Sequence, residues 1–237
     1  MSKYIVACSK FSYNLGDVFD EDELNAEREN LGYRKTFLKD LQDGSRKSKQ
    51  LAEEYTNAFA KARKEQLRFF EEEIQSKFDS KPENVKNNQI VQSGRFHDKP
   101  AFIYASEFDL NGLVKKAGNN FIIDIGKLIG TQLKLTAHQK ERTVDVYMPC
   151  ARSYQNTIKF TIPEGFTAEG IDKLNFALHN NTGVFTAKAT IENNTVIVDV
   201  YKEYSNPNEK AAKWDELTAV IDTANQFVST KLLLKKK

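Results

Sequence analysis

Two apolar periods divide this chain. Between Leu51 and Phe78 the apolar residues Leu51, Tyr55, Phe59, Ala62, Leu67, Phe70, Ile74 and Phe78 recur every three to five positions. That spacing puts them on one stripe of an α-helix. From Asn88 onward the apolar residues recur every second position, the repeat of strands with one buried and one wet face. The two signals together predict an α+β protein. It has antiparallel β-sheets, sandwich-like in the C-terminal part, with the long amphipathic helix and a C-terminal helix packed on them.

The helix is expected at about 47–78. Glu, Lys, Arg and Gln fill its other face and favour helix intrinsically. Asp79-Ser80-Lys81-Pro82 should stop it, because proline disfavours helical geometry before it and cannot extend the ladder. A stripe of this length needs a surface to lie on. Its steps do not hold a strict 3.5 repeat, which favours a sheet over a coiled coil. Tyr55, Phe59, Phe70 and Ile74 are therefore expected to be buried against strands.

Residues 4–8 read as a short strand, followed by an acidic run of Asp17, Asp20, Glu21, Asp22, Glu23 and Glu27. The run lacks the sixth-position glycine of an EF-hand loop and reads as a solvated turn and helix start. Strands are expected at 89–93, 101–105 and 121–125. Four alternating strands, at 143–148, 156–162, 182–189 and 194–201, predict an antiparallel sheet with one wet face. Asn206-Pro207-Asn208-Glu209 carries the residues of a helix start. The stripe Trp214, Leu217, Ile221, Ala224 and Val228 continues that helix, and Lys231 to Leu234 reads as a last strand. A boundary near 135 is expected, with a mixed α/β region at 1–135 and an antiparallel β domain with its C-terminal helix at 136–237.

The charge balance, 35 basic against 33 acidic residues, does not imply a nucleic-acid partner. No apolar run approaches the length of a membrane helix, and Lys3, Ser9 and Lys10 interrupt the start in a way that does not suit a signal peptide. Two cysteines, Cys8 and Cys150, are too few for a disulfide framework and are expected as free thiols. Composition leaves oligomeric state open.

Chemistry is sparse. His97, His138 and His179 stand apart from one another and from the cysteines, so neither a metal site nor a cofactor site is expected. The glycines do not form a phosphate cradle. Asp145, Glu164 and Asp199 could pair for glycoside hydrolysis only through the fold, and alternation puts Asp145 and Asp199 on the wet side of their strands. The one candidate nucleophile is Cys150, with His138 or His179 as its base, and nothing in the sequence brings these residues together.

The stretch from Arg142 to the end carries Arg142-Thr-Val-Asp145-Val-Tyr, Tyr154 to Phe160, Ile162-Pro163-Glu164-Gly165-Phe166, Gly183-Val-Phe185, Pro207 and Leu232-Leu233-Leu234-Lys235. It resembles the C-terminal β-rich region of the transglutaminase-like proteins of Bacteroidetes that carry an N-terminal domain of unknown function. The helix around Ala62 to Gln66 and the segment Phe121 to Gly130 resemble elements ahead of it. In that family the papain-like cysteine, histidine and aspartate lie upstream, in motifs this chain lacks. The resemblance implies a noncatalytic accessory or structural domain of a larger exported protein, in the periplasm or at the cell surface. Its expected partner is the parent's transglutaminase-like domain. The alternatives are an independent hydrolase built on Cys150, or a glycan- or peptide-binding β module using aromatics such as Tyr154 and Phe166.

Overall fold

The computed structural model describes residues 2–6, 25–26, 29–32, 44–92 and 101–237. The acidic residues of the 17–27 run, Cys8, His97 and the side chains of Tyr55, Phe59 and Ala62 lie outside the described residues. Helices combine with antiparallel sheets throughout, as the two periods predict. The chain divides into two compact units. One is formed by Met1–Gln75 with Lys81–Asp109, the other by Ser76–Ser80 with Leu110–Lys237.

In the first unit a three-stranded sheet has the order β1-β3-β2, with β1 at Ser2–Val6, β2 at Glu83–Gln92 and β3 at Phe102–Asp109. Helix α1 spans Arg46–Phe78. The Ser45 hydroxyl accepts the Ser48 backbone N–H at 3.1 Å, which satisfies a donor in the first turn. Beyond the helix, Asp79 takes a left-handed φ of 49° and Pro82 follows, so the ladder cannot continue. Phe70 and Ile74 are buried. The Phe70 ring lies 5.3 Å from that of Tyr104 on β3, and the Tyr104 hydroxyl donates to Glu73 Oε1 at 2.5 Å. The stripe thus meets a sheet at its C-terminal turns, while Leu51 and Leu67 on the same stripe are exposed.

The second unit holds two four-stranded antiparallel sheets. The first has the order β7-β11-β10-β9, with β7 at Arg152–Thr161, β9 at Phe176–His179, β10 at Gly183–Glu192 and β11 at Thr195–Tyr204. Asn193 and Asn194 both adopt positive φ, and this gives the tight β10–β11 hairpin its twist. The second sheet has the order β4-β5-β13-β8, with β4 at Val114–Ala117, β5 at Asn120–Ile123, β8 at Phe166–Glu169 and β13 at Leu232–Lys236. Alternation sends Val196, Val198 and Val200 of β11, Phe185 and Ala187 of β10, and Ile158 of β7 inward. They share one apolar core with Ile123, Leu232 and Leu234 of the second sheet and with Ala224 and Phe227 of helix α3, at Trp214–Val228. Phe176, Phe185 and Phe227 pack ring against ring there, with centroids 5.5–6.1 Å apart.

Close backbone approach locks α3 in place. Gly126 lies in the 3-10 turn Ile125–Ile129, and a Cβ there would sit 2.0 Å from the Phe227 carbonyl oxygen. Only glycine permits this distance. Just before it, Asp124 is 3% exposed, with Lys127, Lys115 and Lys231 ammonium groups at 3.2, 3.6 and 3.8 Å. Burial pushes the carboxyl up. The Lys127 hydrogen bond and the charges of Lys127, Lys115 and Lys231 outweigh that, and hold it below the usual range.

Three stretches differ from their sequence reading. The strand expected at 143–148 shrinks to β6, Val146–Tyr147. The Arg142 guanidinium donates to the carbonyls of Val144 and Asp145, at 2.9 and 3.1 Å, and folds the chain back on itself there. The helix expected from Asn206 begins at Trp214, because Asn208–Glu209 forms β12 against β6 and the Met148 N–H donates to the Pro207 carbonyl. The Asn206 amide meets the Glu209 carboxylate at 2.7 Å, a local contact that serves the strand turn instead of a helix cap. Phe176–His179, where the sequence reading expects no strand, forms β9, with His179 as its last residue.

The core and the buried carboxylate each set a stability measurement. Phe227→Ala should cost about 3–5 kcal/mol in urea unfolding with little change in slope, since it empties the centre of the core. Asp124 has a depressed folded-state pKa, so its contribution is present above the ordinary carboxylate value and is lost as pH falls through the folded one. Asp124→Asn should therefore cost about 1–3 kcal/mol at neutral pH and flatten the acid limb of the stability profile below about pH 4.

Candidate functional site

The inner face of the first sheet changes character along its length. Register places Val198 opposite Ile158 and Val200 opposite Asn156, then Lys202 opposite Tyr154 and Tyr204 opposite Arg152. All point the same way by strand alternation. The last rungs of an apolar face therefore carry a lysine, an arginine and two tyrosines.

The Lys202 ammonium donates to Gln132 Oε1 at 2.6 Å and lies 4.6 Å from the Tyr154 ring centroid and 5.3 Å from that of Tyr204. The Arg152 guanidinium stands 5.5 Å from the Tyr204 ring. These are cation–π distances, and such contacts are strongest where water is excluded. Burial, followed by the repulsion of Arg152, lowers the Lys202 pKa from 10.5 to about 8. Burial, with the neighbouring Tyr154, raises the Tyr204 phenol, against the opposing charge of Arg152.

A cavity of about 370 Å³ opens beside Lys202. Val200 and Phe185 form its apolar floor, Tyr154 and Asn156 one wall, and Ile129 to Gln132 another. Ser76 and Lys77, at the end of α1, complete it. Gly130 makes that closure possible. Its φ is +86°, a Cβ there would meet Lys77 Cγ at 2.8 Å, and the next residue, Thr131, donates its N–H to the Lys77 carbonyl at 2.7 Å. Its lining mixes Phe185, Val200 and Ile129 with polar side chains, a combination a small ligand can use.

The residues singled out from sequence lie elsewhere. Cys150 is a half-buried free thiol between β6 and β7. His138 is exposed on α2, the short helix Ala137–Lys140, and His179 is exposed at the end of β9. Among the described residues no hydrogen bond joins Cys150 to either histidine. Nor does any group of three or more His, Cys, Asp or Glu side chains there have the arrangement of a metal site. Asp145 is exposed and accepts from Lys210 Nζ and the Ala211 N–H, at 2.8 and 2.9 Å; these hydrogen bonds hold its carboxyl low. Asp199 is exposed and accepts from the Thr157 hydroxyl. Among the described residues no helix is long and apolar enough to cross a membrane.

Sequence reasoning passes over Lys202 because one lysine in a β-strand carries no motif. Its only local signal is parity. Val196, Val198, Val200, Lys202 and Tyr204 share the inward register, and a lysine at that parity is an exception to the pattern.

The second unit is an antiparallel α+β domain whose two sheets share one core. Residues 121–234 match the domain-of-unknown-function family DUF3858, so this unit is similar to that family over a little under half of the chain. No curated protein and no solved structure matches the chain.

Desolvation of Lys202 sets up a pH-dependent measurement. Its folded-state pKa is depressed, so between about pH 8 and 10.5 the unfolded state binds more protons and the lysine's unfavourable contribution shrinks as pH rises. Lys202→Met should stabilise the chain by about 1–3 kcal/mol at pH 7. The gain should narrow toward pH 10 when denaturation curves of the two proteins are compared.

Proposed function

We propose that this chain is a noncatalytic accessory region of a larger exported transglutaminase-like protein, acting in the periplasm or at the cell surface. The observation that carries this reading is the place of the family match. Residues 121–234 fall within the second compact unit, and they include the strands whose sequence resembles the β-rich region that follows a papain-like core. In this reading the nucleophile, base and orienting carboxylate belong to preceding polypeptide. This chain contributes a folded platform that packs on that core or positions its substrate.

The placement of the polar residues supports the reading. Asp145 serves as an anchor for the turn at Lys210–Ala211. Among the described residues no imidazole reaches Cys150 through a hydrogen bond. Acyl transfer through a thiol requires a base within hydrogen-bond reach and a third group holding that base.

Two measurements test the proposal. The purified chain should neither hydrolyse peptide amides nor transfer an amine to a glutamine-containing peptide, and Cys150→Ser should leave that background rate unchanged. A turnover that disappears in Cys150→Ser would overturn the accessory reading in favour of an independent hydrolase. The reading frame ahead of Met1 should encode a secretory signal and a transglutaminase-like core; an unrelated upstream frame would remove the proposed parent.

A further inference from the structure

We propose that the cavity beside Lys202 is a binding site for a small organic carboxylate carried on an apolar or aromatic body. The proposal stands on the geometry of the cavity and does not depend on the accessory reading. Lys202 is half-buried, yet among the described residues it forms no ion pair with a carboxylate. The neighbours it has are one amide oxygen, from Gln132 at 2.6 Å, and the faces of Tyr154 and Tyr204. An ammonium has three N–H donors, and the Gln132 oxygen takes one of them. The other charged group acting on it, Arg152, has the same sign. Lys202 therefore stands half-buried beside the cavity with no carboxylate paired to it among the described residues, and an anion would supply that partner.

The lining narrows the kind of anion. Phe185 and Val200 form a floor almost wholly buried from water, which suits a hydrocarbon or ring and does not suit a fully hydrated inorganic ion. Asn156 sits one rung from Lys202 on the adjacent strand and carries an amide N–H₂ able to meet a second carboxylate oxygen. A carboxylate with one planar group of two oxygens matches an ammonium and an amide.

Binding is linked to protonation. A carboxylate placed against Lys202 favours its charged form and raises its pKa, so binding near pH 8.5 takes up protons and weakens as the lysine is titrated away above about pH 9. Arg152, Lys77, Tyr154 and Tyr204 are the other charged or titratable groups that face it. Tyr204 stays neutral through this range because burial raises its pKa.

The test is calorimetric titration of the full chain with sodium benzoate, with benzamide as the uncharged isostere, and with inorganic phosphate. Benzoate should bind at least about tenfold more tightly than benzamide, as expected for a charge-assisted contact. At about pH 8.5 the heat should depend on the ionisation enthalpy of the buffer in the sense of proton uptake. Lys202→Met, with its fold checked by circular dichroism, should lose the preference for benzoate. The proton-uptake measurement uses the unaltered protein and stands even if that variant does not fold. Equal binding of benzoate and benzamide, benzoate binding without proton uptake, or binding of phosphate but not benzoate would each overturn the assignment.

Discussion

The second unit depends on the pairing of its last strand. β13 lies between β5 and β8, with Leu232 against Ile123 on one side and Leu234 against Ala168 on the other. Leu232 and Leu234 are buried, so the strand supplies both the hydrogen-bonded centre of the second sheet and part of the core beneath it. Without it, β5 and β8 would each present an unpaired edge. The β5–β13 contact joins segments from opposite ends of this unit, and such a pairing is reached only after a large loop closes. α3 delivers β13 to this position, and the glycine at 126 lets the end of α3 rest directly on the turn after β5.

That arrangement leaves the first sheet to do a different job. Its inner face is apolar where it meets the second sheet and α3, and becomes polar along β7 and β11 where that cover ends. Lys202 lies at the transition. Phe185 pairs opposite it on β10, and Gln132 and two tyrosine rings meet its ammonium. The core's alternation positions the lysine, and the same alternation half-buries it. Fold and candidate site are set by one register.

Long-period features of the fold are legible in the sequence because they repeat. The α1 stripe, its stop at Asp79 to Pro82, the β10–β11 hairpin at Asn193-Asn194 and the final strand each carry several residues that agree. Short elements are not legible. β8 and β9 have four residues each, too few for a period to stand out, and β6 and β12 have two. The start of α3 is misread because Asn-Pro-Asn-Glu meets the local rules for a cap, while a tertiary strand pair with Val146–Tyr147 takes those residues instead. The candidate site stays hidden for a related reason. Lys202, Tyr154, Gln132 and Lys77 come from four separate segments, and only the register of β7 with β11 and the docking of the α1 end on Gly130–Thr131 bring them together.

Asp124 is buried and Lys202 half-buried in this unit, and the protein treats these two charges oppositely. Asp124 is almost wholly buried, but three lysines from β4, the 3-10 turn and the approach to β13 surround it. Their attraction exceeds the cost of burial, and the carboxylate stays charged. That cluster ties together the segments that meet around β13. Lys202 has no such compensation. The charge acting on it is a second cation, Arg152, and its hydrogen-bond partner is neutral. A structural role would be served as well by methionine, which fills similar space without the desolvation cost. The cost of the lysine is therefore explained by what the cavity can hold, because a carboxylate in that cavity would give Lys202 the partner that Asp124 already has.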